Sequence, residues 1–198
     1  ADKMREPAYG TEPPERIPTQ RSPDGIVARV LAGELSGLTG PFQTLAAVQM
    51  VDYDFEAKAN VGGQRRVEHA IPDGMDNCLV LCHTGRGTVN GAPVKQHDVV
   101  RLEVAPESRL VVIETSEVTA IDGAPAAASF LVFAGRRLRE RIAWRGPIVM
   151  STDEELLATF QELRRGTFLK HRVPWDYHRL SAFPANHPSI ASATKKMQ

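Results

Sequence analysis

The chain has 198 residues, and its 24 Lys plus Arg balance 24 Asp plus Glu, so the formal charge at pH 7 is zero. That length allows one substantial core with flanking segments to spare. The charge balance offers no overall field to nucleic acid or to an anionic surface, and no apolar run approaches a bilayer span, so neither a nucleic-acid nor a membrane partner is expected. No signal-peptide pattern opens the chain, and its first residue, Ala1, fits either a processed chain or part of a longer one. Two cysteines suit a reducing compartment, and the cytoplasm is the expected location.

Residues 1–24 read as an extended linker, because positions 7–23 are rich in Pro, Glu and Thr and show no periodicity. From residue 25 the signals are those of strands. Ile26–Leu31 is β-branched and bounded by Gly25 and Gly33. Gln49, Val51, Tyr53 and Phe55 alternate with Met50, Asp52 and Asp54, which describes a half-buried strand with an acidic outer face. Leu79–His83 and Thr88–Val89 follow, and Asn90-Gly91 is a strong hairpin-turn signal. Val99–Val104 and Leu110–Ile113 alternate again, joined by Pro106-Glu107-Ser108, and Phe130–Phe133 leads into the closing segment. Ser116–Ala128 reads as a loop of small residues.

Near the end, Thr152 with Glu155 forms a capping box, and three acidic residues at 153–155 suit the positive end of a helix. Leu156, Phe160 and Leu163, with Leu157 alongside, supply an apolar face, and Gly166 supplies the left-handed stop. Many short strands with one closing helix predict a mainly β fold, an antiparallel barrel or sandwich with a C-terminal helix, over residues 25–168. Residues 169–198 read as an extended tail, in which Trp175, Tyr177 and Phe183 alternate with prolines as in an arm that docks on a groove.

Several local patterns invite chemistry and are better explained by structure. Cys78 and Cys82 lie in one strand, where four residues span about 13 Å, beyond the roughly 7 Å that a disulfide can bridge between Cα atoms. They are read as core thiols. Cys82 and His83 point to opposite faces of that strand, so they form no thiol–imidazole pair. Gly85-x-Gly87 with Gly91 lacks the spacing and the following helix of a nucleotide loop, and is read as a hairpin. There is no G-x-S-x-G elbow and no P-loop. Residues 136–145 carry five arginines against one glutamate, a local charge near +4. Strand alternation puts Arg137, Arg139, Arg141 and Arg145 on one face. With Trp175 and Phe183 they are the candidate partner surface, against the plainer reading of a charge-protected strand edge.

The closing segment resembles one family. Gly146-Pro147-Ile148-Val149-Met150-Ser151-Thr152, then Glu154-Glu155-Leu156 and the helix end at Gly166 and Phe168, are similar to the end of the pirin family. Ile148 stands where that family usually has an aromatic, and Ser151 where it has Asn. Lys3-Met4-Arg5-Glu6-Pro7-Ala8-Tyr9 resembles the linker between the family's two halves. Asp24-Gly25-Ile26 with Gly33-Glu34 resembles the start of its second half.

The resemblance implies a cupin-like barrel, the C-terminal half of a two-barrel protein. It implies that iron is held in an N-terminal half not contained in this sequence. Such barrels hold metal through His-x-His, a following Glu and a distant His. This chain has no His-x-His, and Glu68 and His69, as strand neighbours, face opposite ways. No cofactor, no metal ligand and no catalytic residue is therefore expected in this chain. The implied role is a structural or interaction domain of an iron-binding co-regulator. Its expected partner is an N-terminal cupin half or another protein chain, a homodimer included, and the resemblance adds the nucleus to the cytoplasm as a location. The alternative is part of an Fe(II)-dependent dioxygenase resembling quercetinases.

Overall fold

The computed structural model describes residues 11–57, 64–115 and 127–168. The chain divides into two compact units, which part between Leu138 and Arg139 inside the stretch 25–168 expected as one domain.

The first unit contains twelve strands among its described residues. In chain order they are β1 Thr19–Arg21, β2 Ile26–Ala32, β3 Glu34–Leu35, β4 Leu38–Thr39, β5 Val48–Phe55 and β6 Arg65–Ala70. The remainder are β7 Asn77–Thr84, β8 Arg86–Val89, β9 Ala92–Lys95, β10 Val99–Glu103, β11 Leu110–Thr115 and β12 Ala128–Gly135. A six-stranded sheet runs β1-β2-β5-β12-β7-β10, and a four-stranded sheet runs β6-β11-β8-β9, with antiparallel pairing throughout. The mainly β, antiparallel expectation is met.

The core lies between the two sheets, and the two-residue period of the sequence builds it. Along β5, Gln49, Val51, Tyr53 and Phe55 are buried while Met50, Asp52 and Asp54 are half-buried on the outer face. β7 repeats the pattern with Cys78, Val80 and Cys82 inward, and β12 does so with Phe130, Val132 and Ala134. The opposing wall supplies Val111 and Ile113 from β11. Phe55 and Phe130 meet edge to face at 5.7 Å, a favoured ring geometry.

Connections follow local chemistry. Asn90 and Gly91 both have positive φ, 49° and 79°, and close the β8–β9 hairpin. Gly85, read from the sequence as part of a hairpin, instead carries the chain from the six-stranded sheet at β7 to the four-stranded sheet at β8. Its φ is +72°, and an added Cβ would run into the Ala127 carbonyl, so the crossing needs glycine. β1 falls inside the segment 1–24 expected as linker; its extended backbone lets Thr19–Arg21 add to the sheet edge against β2. Of the loop expected at Ser116–Ala128, residues 116–126 lie outside the described residues, and Ala128 already belongs to β12.

The second unit contains the hairpin of β13 Ala143–Arg145 and β14 Ile148–Met150, turned at Gly146-Pro147, and the helix α1 Asp153–Arg165. The expected cap is present: the Glu155 amide donates to Thr152 Oγ1 at 3.1 Å, and the Glu155 carboxylate accepts from the Thr152 amide at 3.2 Å. Gly166 ends the helix at φ 69°. The buried face differs from the expected one. Leu156 and Thr159 are buried and Phe160 is half-buried, whereas Leu157 and Leu163 are 59% and 41% exposed. Thr159 tolerates burial because its hydroxyl donates to the Glu155 carbonyl one turn back, at 2.9 Å.

Candidate functional site

Two polar constellations stand out in the first unit, one on each side of the six-stranded sheet. The inner one is a tyrosine–histidine pair. β5 places Tyr53 inward from one wall and β6 places His69 inward from the other, and the Tyr53 hydroxyl lies 2.8 Å from His69 Nδ1. The rings meet edge to face at 5.8 Å. Burial disfavours the charged forms of both, lowering the His69 pKa to about 4 and raising that of Tyr53. Both groups are thus neutral at physiological pH. With the Tyr53 O–H donating to Nδ1, the ring hydrogen sits on Nε2. That Nε2 has no hydrogen-bond partner among the described residues.

The iron implied by the family resemblance does not fit this donor set. His69 offers one imidazole nitrogen. Its sequence neighbour Glu68 is on the opposite, solvent face, where it accepts from Arg66 at 2.6 Å and 3.1 Å. The core thiols are poor ligands, because burial raises the Cys78 pKa to about 11 and also raises that of Cys82. Among the described residues no three His, Cys, Asp or Glu are grouped closely enough to hold a metal ion.

The outer constellation is ionic. Arg29 on β2 donates to Asp52 at 2.9 Å and to Asp54 at 3.2 Å, both on β5. Asp52 also lies 2.9 Å from His83 Nε2 on β7, and Ser129 on β12 donates to Asp54 at 3.2 Å. Burial works against the Arg29 charge, yet hydrogen bonds to the two aspartates outweigh it and the Arg29 pKa is raised. Ser129, His83 and the aspartates form no nucleophilic triad, because the serine and the histidine are held by different carboxylates. Cys82 and His83 face opposite sides of β7, as the alternation requires.

The arginine-rich stretch is not the single strand face that alternation suggests. Residues 136–142 form no strand, and Arg139 has a φ of +55°, which breaks the alternation. Within the first unit the Arg137 amide donates to Asp76 at 2.7 Å. Within the second, Arg141 pairs with Asp153 at 2.5 Å, and the Arg145 guanidinium stacks 5.2 Å from the Phe160 ring centre. Trp175 and Phe183 lie outside the described residues.

Tyr53 and the Arg29–Asp52–His83 chain of contacts are the residues that linear pattern does not single out. The parity of β5 gives the side each faces. Only the pairing of β5 with β2 and β12 shows which partners it meets.

Two antiparallel sheets around one shared core define a protein of the cupin class. Residues 56–169 match the pirin C-terminal cupin domain, and the chain belongs to the pirin family. It is 29% identical over 178 residues to a Thermoplasma acidophilum protein provisionally named quercetin 2,3-dioxygenase, covering 88% of this chain and 63% of that one. It is 26% identical to human pirin, covering 83% of this chain and 52% of pirin. A quercetin 2,3-dioxygenase from Acinetobacter baumannii shares the fold with a TM-score of 0.60 at 25% identity, over 78% of this chain and 48% of that one. The chain thus spans between about half and just under two thirds of these relatives' length.

Proposed function

We propose that this chain serves as a structural and interaction domain of the pirin type, with a barrel that is not itself a metal centre. The observation that carries the reading is the state of the inner wall. Its one described imidazole, His69, is fully buried and held by Tyr53, and among the described residues no three His, Cys, Asp or Glu are grouped to hold a metal. A redox iron centre needs several convergent nitrogen and oxygen donors with an open position. A filled barrel of this kind instead contributes a rigid body and its outer surface. Its partner is a companion cupin barrel or another protein chain. A cytoplasmic location belongs to the same proposal; among the described residues no helix is long and apolar enough to cross a membrane.

A second reading is favoured by the names of the relatives: part of an Fe(II)-dependent dioxygenase resembling quercetinases, whose metal is held by residues of another barrel. Thermal melts with excess Fe(II) or Zn(II) and with chelator separate this chain's own part from that of a partner. A ligand specific to the folded state at 100 times its Kd stabilises by about 2.7 kcal/mol. The proposal expects the melts to coincide. A rise in Tm with Fe(II) that disappears in His69→Ala would place the metal in this barrel and overturn it.

A further inference from the structure

The hairpin of the second unit presents a tryptophan to solvent. Trp144 on β13 is 73% exposed, the most exposed of the large apolar side chains among the described residues. Folding normally buries most of a tryptophan. Strand parity accounts for the exposure. Ala143 is buried, and the Arg145 guanidinium stacks on Phe160 of α1, so these two positions of β13 face the helix. Trp144 stands on the opposite side of the hairpin, beside its cross-strand neighbour Val149 on β14, which is 41% exposed. Ile142, at the foot of the hairpin, is 66% exposed. The indole is tied down within the hairpin, because its Nε1–H donates to the Gly146 carbonyl at 2.7 Å. That bond satisfies the ring's one polar group and leaves its apolar body open. A ring already oriented in this way loses little freedom when it is covered, which suits it to serve as an anchor.

We propose that this face is the seat of the chain's own tail, residues 169–188, with Trp175 laid against Trp144 and Val149. This cover belongs to the second unit alone and is independent of what the barrel interior holds. Two observations favour the tail over a separate partner. The first is reach. Ten residues lead from Arg165, the last of α1, to Trp175, a span of up to about 33 Å when extended. The helix itself has 13 residues, about 20 Å, and it packs on β13 and β14. The tail is thus long enough to return along the whole helix to the hairpin. A tether this short keeps Trp175 near the hairpin at an effective concentration on the order of millimolar.

The second observation is composition. Pro174 precedes Trp175, Tyr177 follows two residues later, and Pro184 follows Phe183. Proline holds such a segment extended in advance, and extended proline-bearing segments dock on aromatic surfaces. Contact between the two indoles adds a large apolar area to the cover.

The chain contains two tryptophans, Trp144 and Trp175, so a substitution at Trp175 leaves Trp144 as the sole reporter. The test compares acrylamide quenching and the emission maximum of the full chain carrying Trp175→Phe with those of the full chain carrying Trp175→Ser. Trp175→Phe keeps a ring in the tail, and Trp144 is expected to be shielded, with blue-shifted emission. Trp175→Ser should raise the quenching constant severalfold and shift the emission to the red. Circular dichroism on the same samples reports whether the sheets and α1 are kept. Should Trp175→Ser fail to fold, Phe183→Ser added to Trp175→Phe supplies a second tail variant with the same expected rise. Equal access of quencher to Trp144 in Trp175→Phe and in Trp175→Ser overturns the proposal. So does shielding that survives both Trp175→Ser and Phe183→Ser, since the cover would then be another segment. Shielding that fades on dilution overturns it too, by assigning the cover to a second molecule. None of these outcomes bears on the metal-free reading of the barrel, which the melts with Fe(II) and His69→Ala decide separately.

Discussion

The two sides of the six-stranded sheet use the same strands and reach opposite chemical states. On the inner side, β5, β7 and β12 present Val51, Phe55, Cys78, Val80, Phe130 and Val132 to the four-stranded sheet, all nearly or wholly buried. The Tyr53–His69 pair there is held neutral by burial. On the outer side the same strands present Met50, Leu79, Leu81, Leu131 and Phe133, only half-buried, beside a chain of charges from Arg29 to His83. The inner face holds the fold together, and its apolar area is already matched by the opposing wall. The outer face retains apolar area without a matching wall in the two-sheet core. This contrast fits the proposed role as a structural and interaction domain.

Paired substitutions sharpen this contrast. Phe130→Ala on the inner face should cost about 3–5 kcal/mol, since it removes a fully buried ring from the core. Phe133→Ala, three residues along the same strand on the outer face, should cost the single chain far less, about 1 kcal/mol. Urea denaturation checks both. Equal losses would mean that the outer face is buried within the folded chain.

The next largest effect is one of pH. His69 titrates near 4 in the folded protein and near 6.5 when unfolded. Between those values the unfolded chain binds the additional proton. Stability is thus fully present above pH 6.5 and falls as pH drops towards 4, by about 3 kcal/mol from this group. Melts from pH 7 to 4 should show that fall, and His69→Phe should flatten it. A wild-type profile that is flat over this range would mean that His69 is solvated.

The outer ionic chain should matter less. Asp52→Asn weakens contacts to both Arg29 and His83 at 2.9 Å. A cost of about 1 kcal/mol is expected, reduced by salt, because the partners are one third exposed or more. A loss as large as that of Phe130→Ala would make the outer network part of the core.

The sequence pattern carried the sides of β5, β7 and β12 and the opposite facing of Glu68 and His69, because a period of two decides them without knowledge of partners. It also carried the α1 cap, whose Thr152, Glu155 and Gly166 act within one turn. It did not carry what depends on pairing. The Tyr53–His69 contact joins positions on opposite walls, and Gly85 changes sheets where a hairpin was expected. The arginine alternation failed for a local reason, the left-handed backbone at Arg139. Leu157 and Leu163 read as apolar face by spacing, but the turn carrying Thr159 is the one that packs inward.

The proposed absence of metal from the barrel interior is open to direct measurement. Elemental analysis of the purified chain, after reconstitution with Fe(II) under anaerobic conditions and gel filtration, tests it most directly. Iron well below stoichiometric amounts is expected, with wild type and His69→Ala alike. One equivalent of iron in the wild type, lost in His69→Ala, would contradict it.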